Sequence, residues 1–306
     1  MSLKLATAHA VIAAAMAVNL VSFPWVAEAA SPGTPIIGRI LAQGAFRVDN
    51  STITGNATLF EGATIESGTD RPALEFRSGA RLSLGAESKG RVFADHMVLD
   101  RGRSRLDKAD GFRVEARGLK IQPETGKTTG RVDLAGASRV QVAALTGSFR
   151  VLNAQGIMVA RIPSGMALSF EPQVAAGPAK VTGRLVVKAG HYLLTDETTN
   201  VTVEVAGPNL ARMVGKRVEV TGSMDPTATP VSDASQYIRV DAVRPLPGAG
   251  TAAAGTGRAG GAAGGLSGLA ISGTTIAIIG GVAVAAVVGG LAAAGGLSGG
   301  AAPLSR

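Results

Sequence analysis

A serine framed by glycines, Gly296-Leu297-Ser298-Gly299-Gly300, has the spacing of a nucleophile elbow, the turn that raises a serine hydroxyl toward an acyl substrate. That chemistry needs a strand before the serine and a helix after it, and here both flanks are glycine and alanine. Gly255-Thr256-Gly257-Arg258-Ala259-Gly260 likewise spells the glycine spacing that brings a backbone against a dinucleotide pyrophosphate, yet no strand pattern precedes it. Gly126-Lys127-Thr128 ends like a phosphate-binding loop, while Ile121 stands where the first glycine must let the chain wrap the phosphates. None of the three has the surroundings its chemistry demands. Thiol chemistry is excluded because the chain has no cysteine. The histidines His9, His96 and His191 do not fall at the spacing of a metal-ligand pair. The expectation is a protein that is not an enzyme, with no catalytic, metal-ligating or cofactor-binding residues.

Recognition of charge is the chemistry that survives. Between Asp95 and Glu115 charges of both signs are mixed, a pattern typical of a solvated loop, and Arg101, Arg103 and Arg105 within it are the residues expected to meet an anion or a partner. The whole chain carries a formal charge of +8, and removing residues 1–29 takes away one Lys and one Glu and leaves it unchanged. A basic surface attracts acidic polysaccharide, phospholipid head groups and nucleic acid alike. Nucleic acid is the least expected of these, since only Tyr192, Tyr237 and His191 are at hand for base stacking.

The elements that must position such residues can be read from the apolar pattern. Residues 1–29 read as an export signal: Lys4 opens it, Val11 to Val21 is apolar apart from Asn19, and Pro24 precedes a small-residue cleavage site at Ala27-Glu28-Ala29. From residue 36 to 172, pairs such as Leu74 and Phe76, Leu82 and Leu84, Val132 and Leu134, and Phe149 and Val151 stand two apart, the period of a half-buried strand. Glycine turns such as Glu61-Gly62, Ser78-Gly79 and Gln155-Gly156 separate them, so the fold class expected is all-β, a sandwich or roll. A second unit over 179–245 resolves into five strand patterns, with a short helical turn between the third and fourth at Asn209 to Val214; that order predicts a small OB-like barrel.

After Arg244 the composition changes. Residues 245–306 hold no acidic side chain, two arginines and 18 of the 42 glycines. Residues 246–270 read as a Gly/Ala-rich linker. Ile276 to Leu297 then runs without a polar side chain, and at ~1.5 Å per residue would measure about 33 Å as a helix against a hydrocarbon core of ~30 Å. The expectation is a transmembrane helix over 276–297, with a short tail at 298–306. Gly281, Ala285, Gly289 and Ala293 would share one face of that helix and allow it to pack against another, which predicts homo-oligomers through the span.

One stretch also resembles a known family. Leu59-Phe60-Glu61-Gly62-Ala63-Thr64-Ile65-Glu66-Ser67, followed by Ala73 to Leu84 and Ser88, resembles the strand, glycine turn and strand core of FecR-like periplasmic domains, sensory modules of some bacterial sigma-factor regulators. Ser78 replaces the acidic residue that the family carries before its turn glycine, and the family's cytoplasmic anti-sigma helices have no counterpart here. The resemblance implies a bacterial envelope protein in sensing, signalling or protein interaction; the leader followed by one late span predicts that it is held at the cytoplasmic membrane with its domains facing the periplasm, where another envelope protein is the expected partner. The alternative expectation is a structural matrix protein that binds acidic polysaccharide.

Overall fold

The computed structural model describes residues 34–172, 178–231, 233–247 and 277–287. The leader, most of the linker and the last residues lie outside the described residues. Twenty-four strands and a single 3-10 turn account for the regular structure described.

The first seventeen strands are mostly short. They are Ile36–Leu41 (β1), Ala45–Val48 (β2), Ser51–Thr54 (β3), Ala57–Phe60 (β4), Thr64–Ser67 (β5), Ala73–Phe76 (β6), Arg81–Leu84 (β7), Lys89–Val92 (β8) and His96–Arg101 (β9). Arg103–Lys108 (β10), Arg113–Ala116 (β11), Leu119–Pro123 (β12), Thr129–Ala135 (β13), Arg139–Thr146 (β14), Phe149–Leu152 (β15), Met158–Ile162 (β16) and Ala167–Pro172 (β17) follow. The chain delivers these strands alternately to two sheets. One runs β17-β14-β13-β10-β7-β6-β1-β4 and the other, of nine strands, runs β16-β15-β12-β11-β9-β8-β5-β2-β3. A roll results that lengthens as the chain proceeds. Its two sheets meet across a core of alternate side chains: the Phe149 ring of β15 fills the space that a side chain on Gly130 of β13 would need. Phe76 of β6 packs against Phe112, next to β11, with ring centroids 4.3 Å apart and the planes tilted by 38°. Each large side chain so buried contributes about 1.5–3 kcal/mol.

Five further strands form a barrel: Ala179–Lys188 (β18), His191–Asp196 (β19), Thr202–Ala206 (β20), Arg217–Met224 (β21) and Tyr237–Pro245 (β22), with the 3-10 turn at Leu210–Met213. β18 pairs with β19, β19 with β20, β20 with β22 in parallel, β22 with β21, and β21 returns to β18. That ring order is the OB-type arrangement. Closure bends the strands sharply, and it does so at Gly183 and Gly222, where a Cβ would strike the carbonyl oxygens of Thr195 and Arg239.

The expected transmembrane helix is overturned. Within the apolar tail, Ala277–Ile279 (β23) and Val282–Ala286 (β24) form an antiparallel hairpin, and among the described residues no helix is long and apolar enough to cross a membrane. The two residues between the strands, Gly280 and Gly281, have φ of +59° and +74°, the pair of positive angles that a type I′ hairpin turn requires. β24 pairs with β17 from Leu168↔Ala286 to Pro172↔Val282, and β23 meets β18 at Lys180↔Ile278. The hairpin therefore joins roll and barrel into one fifteen-stranded sheet. The small-residue face has no helix to lie on: Gly281 is in the turn and Ala285 sits opposite Ser169, while Gly289 and Ala293 are outside the described residues. A run of valine, isoleucine and alanine is equally apolar as helix or hairpin, so its hydropathy could not separate the two.

Candidate functional site

The three arginines expected on a loop stand on strands. Gly102, at φ +80°, carries the chain from one sheet to the other, so Arg101 ends β9 while Arg103 opens β10. Arg101 donates to Glu66 Oε1 at 3.0 Å and to the Glu87 carbonyl at 3.2 Å. Arg103 lies 3.3 Å from Asp133 and Arg105 lies 2.7 Å from Asp107. The three do not converge, and each already has a carboxylate. Arg105 also faces Arg131 across the β10–β13 ladder, a like-charge pair offset by Asp107 and by Asp133, which is 2.6 Å from Arg131.

A different set of cations does converge. On the outer face of the nine-stranded sheet, cross-strand register aligns Thr52 of β3, Arg47 of β2, Glu66 of β5, Lys89 of β8 and Arg101 of β9 in one row. Three cations thus share one carboxylate. Glu66 spends its oxygens on Arg101 at 3.0 Å and Lys89 at 3.8 Å. Arg47 is left with a single bond, donated to the Asn50 carbonyl at 3.2 Å, and has no carboxylate partner among the described residues. Arg47, Thr52, Glu66, Glu87 and Arg101 line a hollow of about 540 Å3.

The sheet edges differ in availability. At one end of the roll, β24 covers β17 and barrel loops cap β16: Arg161 donates its backbone N–H to the Thr199 carbonyl at 2.7 Å, and Gln236 Nε2 donates to the Met158 carbonyl at 2.6 Å. At the other end, β3 and β4 each pair on one side only among the described residues. Phe60, which ends β4, and its partner Ile36 on β1 are 41% and 44% exposed, which leaves apolar surface at this edge.

The two described histidines, His96 and His191, each lie within hydrogen-bonding distance of a neighbouring carboxylate. His96 stacks on Phe93 and sits 2.7 Å from Asp95, which, with Arg113, holds the Asp95 carboxyl below its ordinary value. His191 sits 2.7 Å from Glu204, whose second oxygen accepts the Val231 N–H at 2.9 Å. Lys188 pairs with Asp233, and Ser235 donates to the Thr202 carbonyl at 3.1 Å. The loop before β22 is thereby drawn over the β19–β20 face that carries His191. Lys127 and Thr128 lie in the turn between β12 and β13, where Thr128 is buried and donates its N–H to the Thr125 carbonyl at 3.1 Å. Ser298 and the Gly255–Gly260 string lie outside the described residues. Among the described residues no group of three His, Cys, Asp or Glu side chains is placed to hold a metal.

No family model matches the chain, and no curated protein does. Among solved structures, two crystal structures of a candidate anti-sigma factor from Parabacteroides distasonis, at 1.65 and 2.50 Å resolution, are similar to part of it. Identity is 13% in each case, with TM-scores of 0.30 and 0.29. The likeness covers 35% of this chain and 54% of that one, so this chain spans about half the length of the protein it matches.

The row Arg47-Glu66-Lys89-Arg101 was not legible before the register was known. Its members are scattered over 55 positions, and each taken alone is an ordinary charge on the solvent side of a strand.

Proposed function

We propose that this chain is a non-enzymatic interaction module of the bacterial cell envelope, which binds an extended segment of another protein by adding it to the open end of its roll. The reading is carried by one observation: three of the outer flanks, at β16, β17 and β18, are covered from within the molecule, while among the described residues nothing pairs with the outer side of β3 or β4. Main-chain pairing at a free edge supplies affinity, and side chains alternating along the added strand supply selectivity. The leader at 1–29 supports action outside the cytoplasm, and the FecR-like stretch supports a sensing or signalling role for the bound partner. A photo-crosslinking residue placed at Thr58, exposed on β4, is expected to capture an envelope protein in the native host, whereas the same residue at Thr195, exposed on the barrel, is not. Equal capture from both positions, or a product found in the cytosol with its leader uncleaved, would end this reading.

The cation row favours a second reading, a matrix protein that holds acidic polysaccharide. Binding to an acidic glycan that is present at low ionic strength and lost as salt rises supports it; no binding at low salt removes it.

A further inference from the structure

We infer that the β3 edge selects a strand whose outward side chains are carboxylates, with Arg47 as the residue that reads them; this rests on the edge-pairing reading above and specifies its partner. The two-residue turn Asp49-Asn50, with φ of +46° and +70°, fixes the hydrogen-bonding phase of the β2–β3 hairpin. Val48 and Ser51 close the turn, Arg47 and Thr52 follow as a non-bonded pair, and Phe46 and Ile53 bond again. The phase is fixed independently at the far end, where Gly55 donates to the Gly44 carbonyl at 3.4 Å. Thr52 and Thr54 therefore direct their N–H and C=O groups away from β2, toward the open side.

A strand added there pairs with Thr52 and Thr54. Its residue opposite Thr52 projects on the same face as Thr52 and, one strand further in, Arg47. Strands are spaced ~4.8 Å apart, so that residue lies about 10 Å from the Arg47 backbone, within the joint reach of a guanidinium and a carboxylate. Arg47 is the member of the row whose charge no carboxylate meets among the described residues, and Lys89 and Arg101 behind it add to the positive potential. The opposite face of the added strand falls beside Ile53, half-buried against the core, and calls for apolar side chains. The ligand class is an amphipathic extended segment, acidic on one face and β-branched on the other.

Short labelled peptides alternating Val with Glu, Val with Gln and Val with Lys test this against the full-length chain by fluorescence anisotropy. The Glu peptide is expected to bind roughly tenfold tighter than the Gln peptide, as one charge-assisted contact allows. Arg47→Glu is expected to abolish that preference and to favour the Lys peptide. Thr52→Pro removes an N–H that bonds to nothing within the hairpin, and is expected to abolish binding of every peptide with the fold retained. In the unaltered chain, hydrogen exchange at the Thr52 and Thr54 amides is expected to slow when the Glu peptide is added. Equal binding of Glu and Gln peptides, or a preference that survives Arg47→Glu, overturns the inference about charge and leaves edge pairing standing. Binding without protection of Thr52 and Thr54, or binding that survives Thr52→Pro, overturns edge pairing at β3. Failure of all three peptides to bind overturns both.

Discussion

Asp196 ends β19 fully buried and is surrounded by donors: the backbone N–H groups of Thr182, Thr198 and Thr199 and the Thr199 hydroxyl, at 2.7 to 3.0 Å. Burial raises its pKa above the ordinary value, and the hydrogen bonds oppose that shift without cancelling it. A raised pKa in the folded state means that the pH-dependent part of the group's contribution to stability is fully present below its unfolded pKa and is lost as pH rises through the folded one. Asp196→Ala would leave the Thr182 and Thr199 N–H groups facing a void in the barrel wall, which costs about 3 kcal/mol. The expected result in denaturant unfolding is a loss of that size, and a loss below about 1 kcal/mol would deny the residue this role. Asp225 is the contrary case. It is half-buried, accepts bonds from Thr227 and Arg239, and has its pKa lowered to about 2, mainly by the Thr227 hydroxyl at 2.6 Å. Its contribution is present above the unfolded value near 3.8 and lost as pH falls through about 2. NMR titration of the Asp225 carboxyl is expected to give a midpoint near 2, and Thr227→Ala is expected to move it upward. Neither role could be read from composition, because each depends on which donors the turn brings within 3 Å.

Strand existence was largely legible, because alternation survives wherever one face is buried: Leu74 and Phe76, Leu82 and Leu84, and Val132 all point into the core as their spacing implies. It failed at β10, where the inward residues are Ser104 and Leu106, at 1% and 2% exposure. A buried serine removes half the apolar signal, and the arginines between hid the rest. It failed also at β23 and β24. Their outward positions, Ile278, Ala283 and Ala285, are as apolar as the inward ones, which erases the alternation that marks a strand. The glycine pair at 280 and 281 between β-branched residues was the signal present in the sequence, since only a residue free to take φ above zero at both places permits the tight reversal. Because the chain has no cysteine of its own, a designed pair reports cleanly on this element. Ser169 and Ala285 are register partners on β17 and β24, which puts their Cα atoms at the separation a disulfide accepts. Ser169→Cys combined with Ala285→Cys is expected to form a disulfide on mild oxidation, seen as a mobility shift that reductant reverses. Failure to oxidise while the protein remains folded would place the tail elsewhere.

At the scale of the molecule the question is what holds roll and barrel together. Direct polar contacts between them are few among the described residues: Arg161 N–H to Thr199 O, Asn200 Nδ2 to Arg161 O and, weakly, to Met166 Sδ at 3.9 Å, and Gln236 Nε2 to Met158 O, each worth about 1 kcal/mol net or less. The hairpin does more. It buries Ala277, Ile279, Val282 and Val284 between β17 and β18, and Asn153 of the roll donates to its Gly280 carbonyl at 3.0 Å. Three buried aliphatic side chains of that size contribute on the order of 5–8 kcal/mol, an upper bound because the unfolded chain already hides part of their surface. The hairpin term therefore exceeds the polar term, and the two β units should lose their mutual hold when it is absent. A chain ending at Pro247 keeps both cores, but it leaves the edge of β17 unpaired and removes the neighbours of Leu168 and Phe170. Calorimetry is expected to resolve one unfolding transition for the intact chain into two for the shortened one, with a protease cutting between Pro172 and Pro178. A single transition at an unchanged temperature would mean that the direct polar contacts suffice, and that the tail's burial adds nothing to the union of the two units.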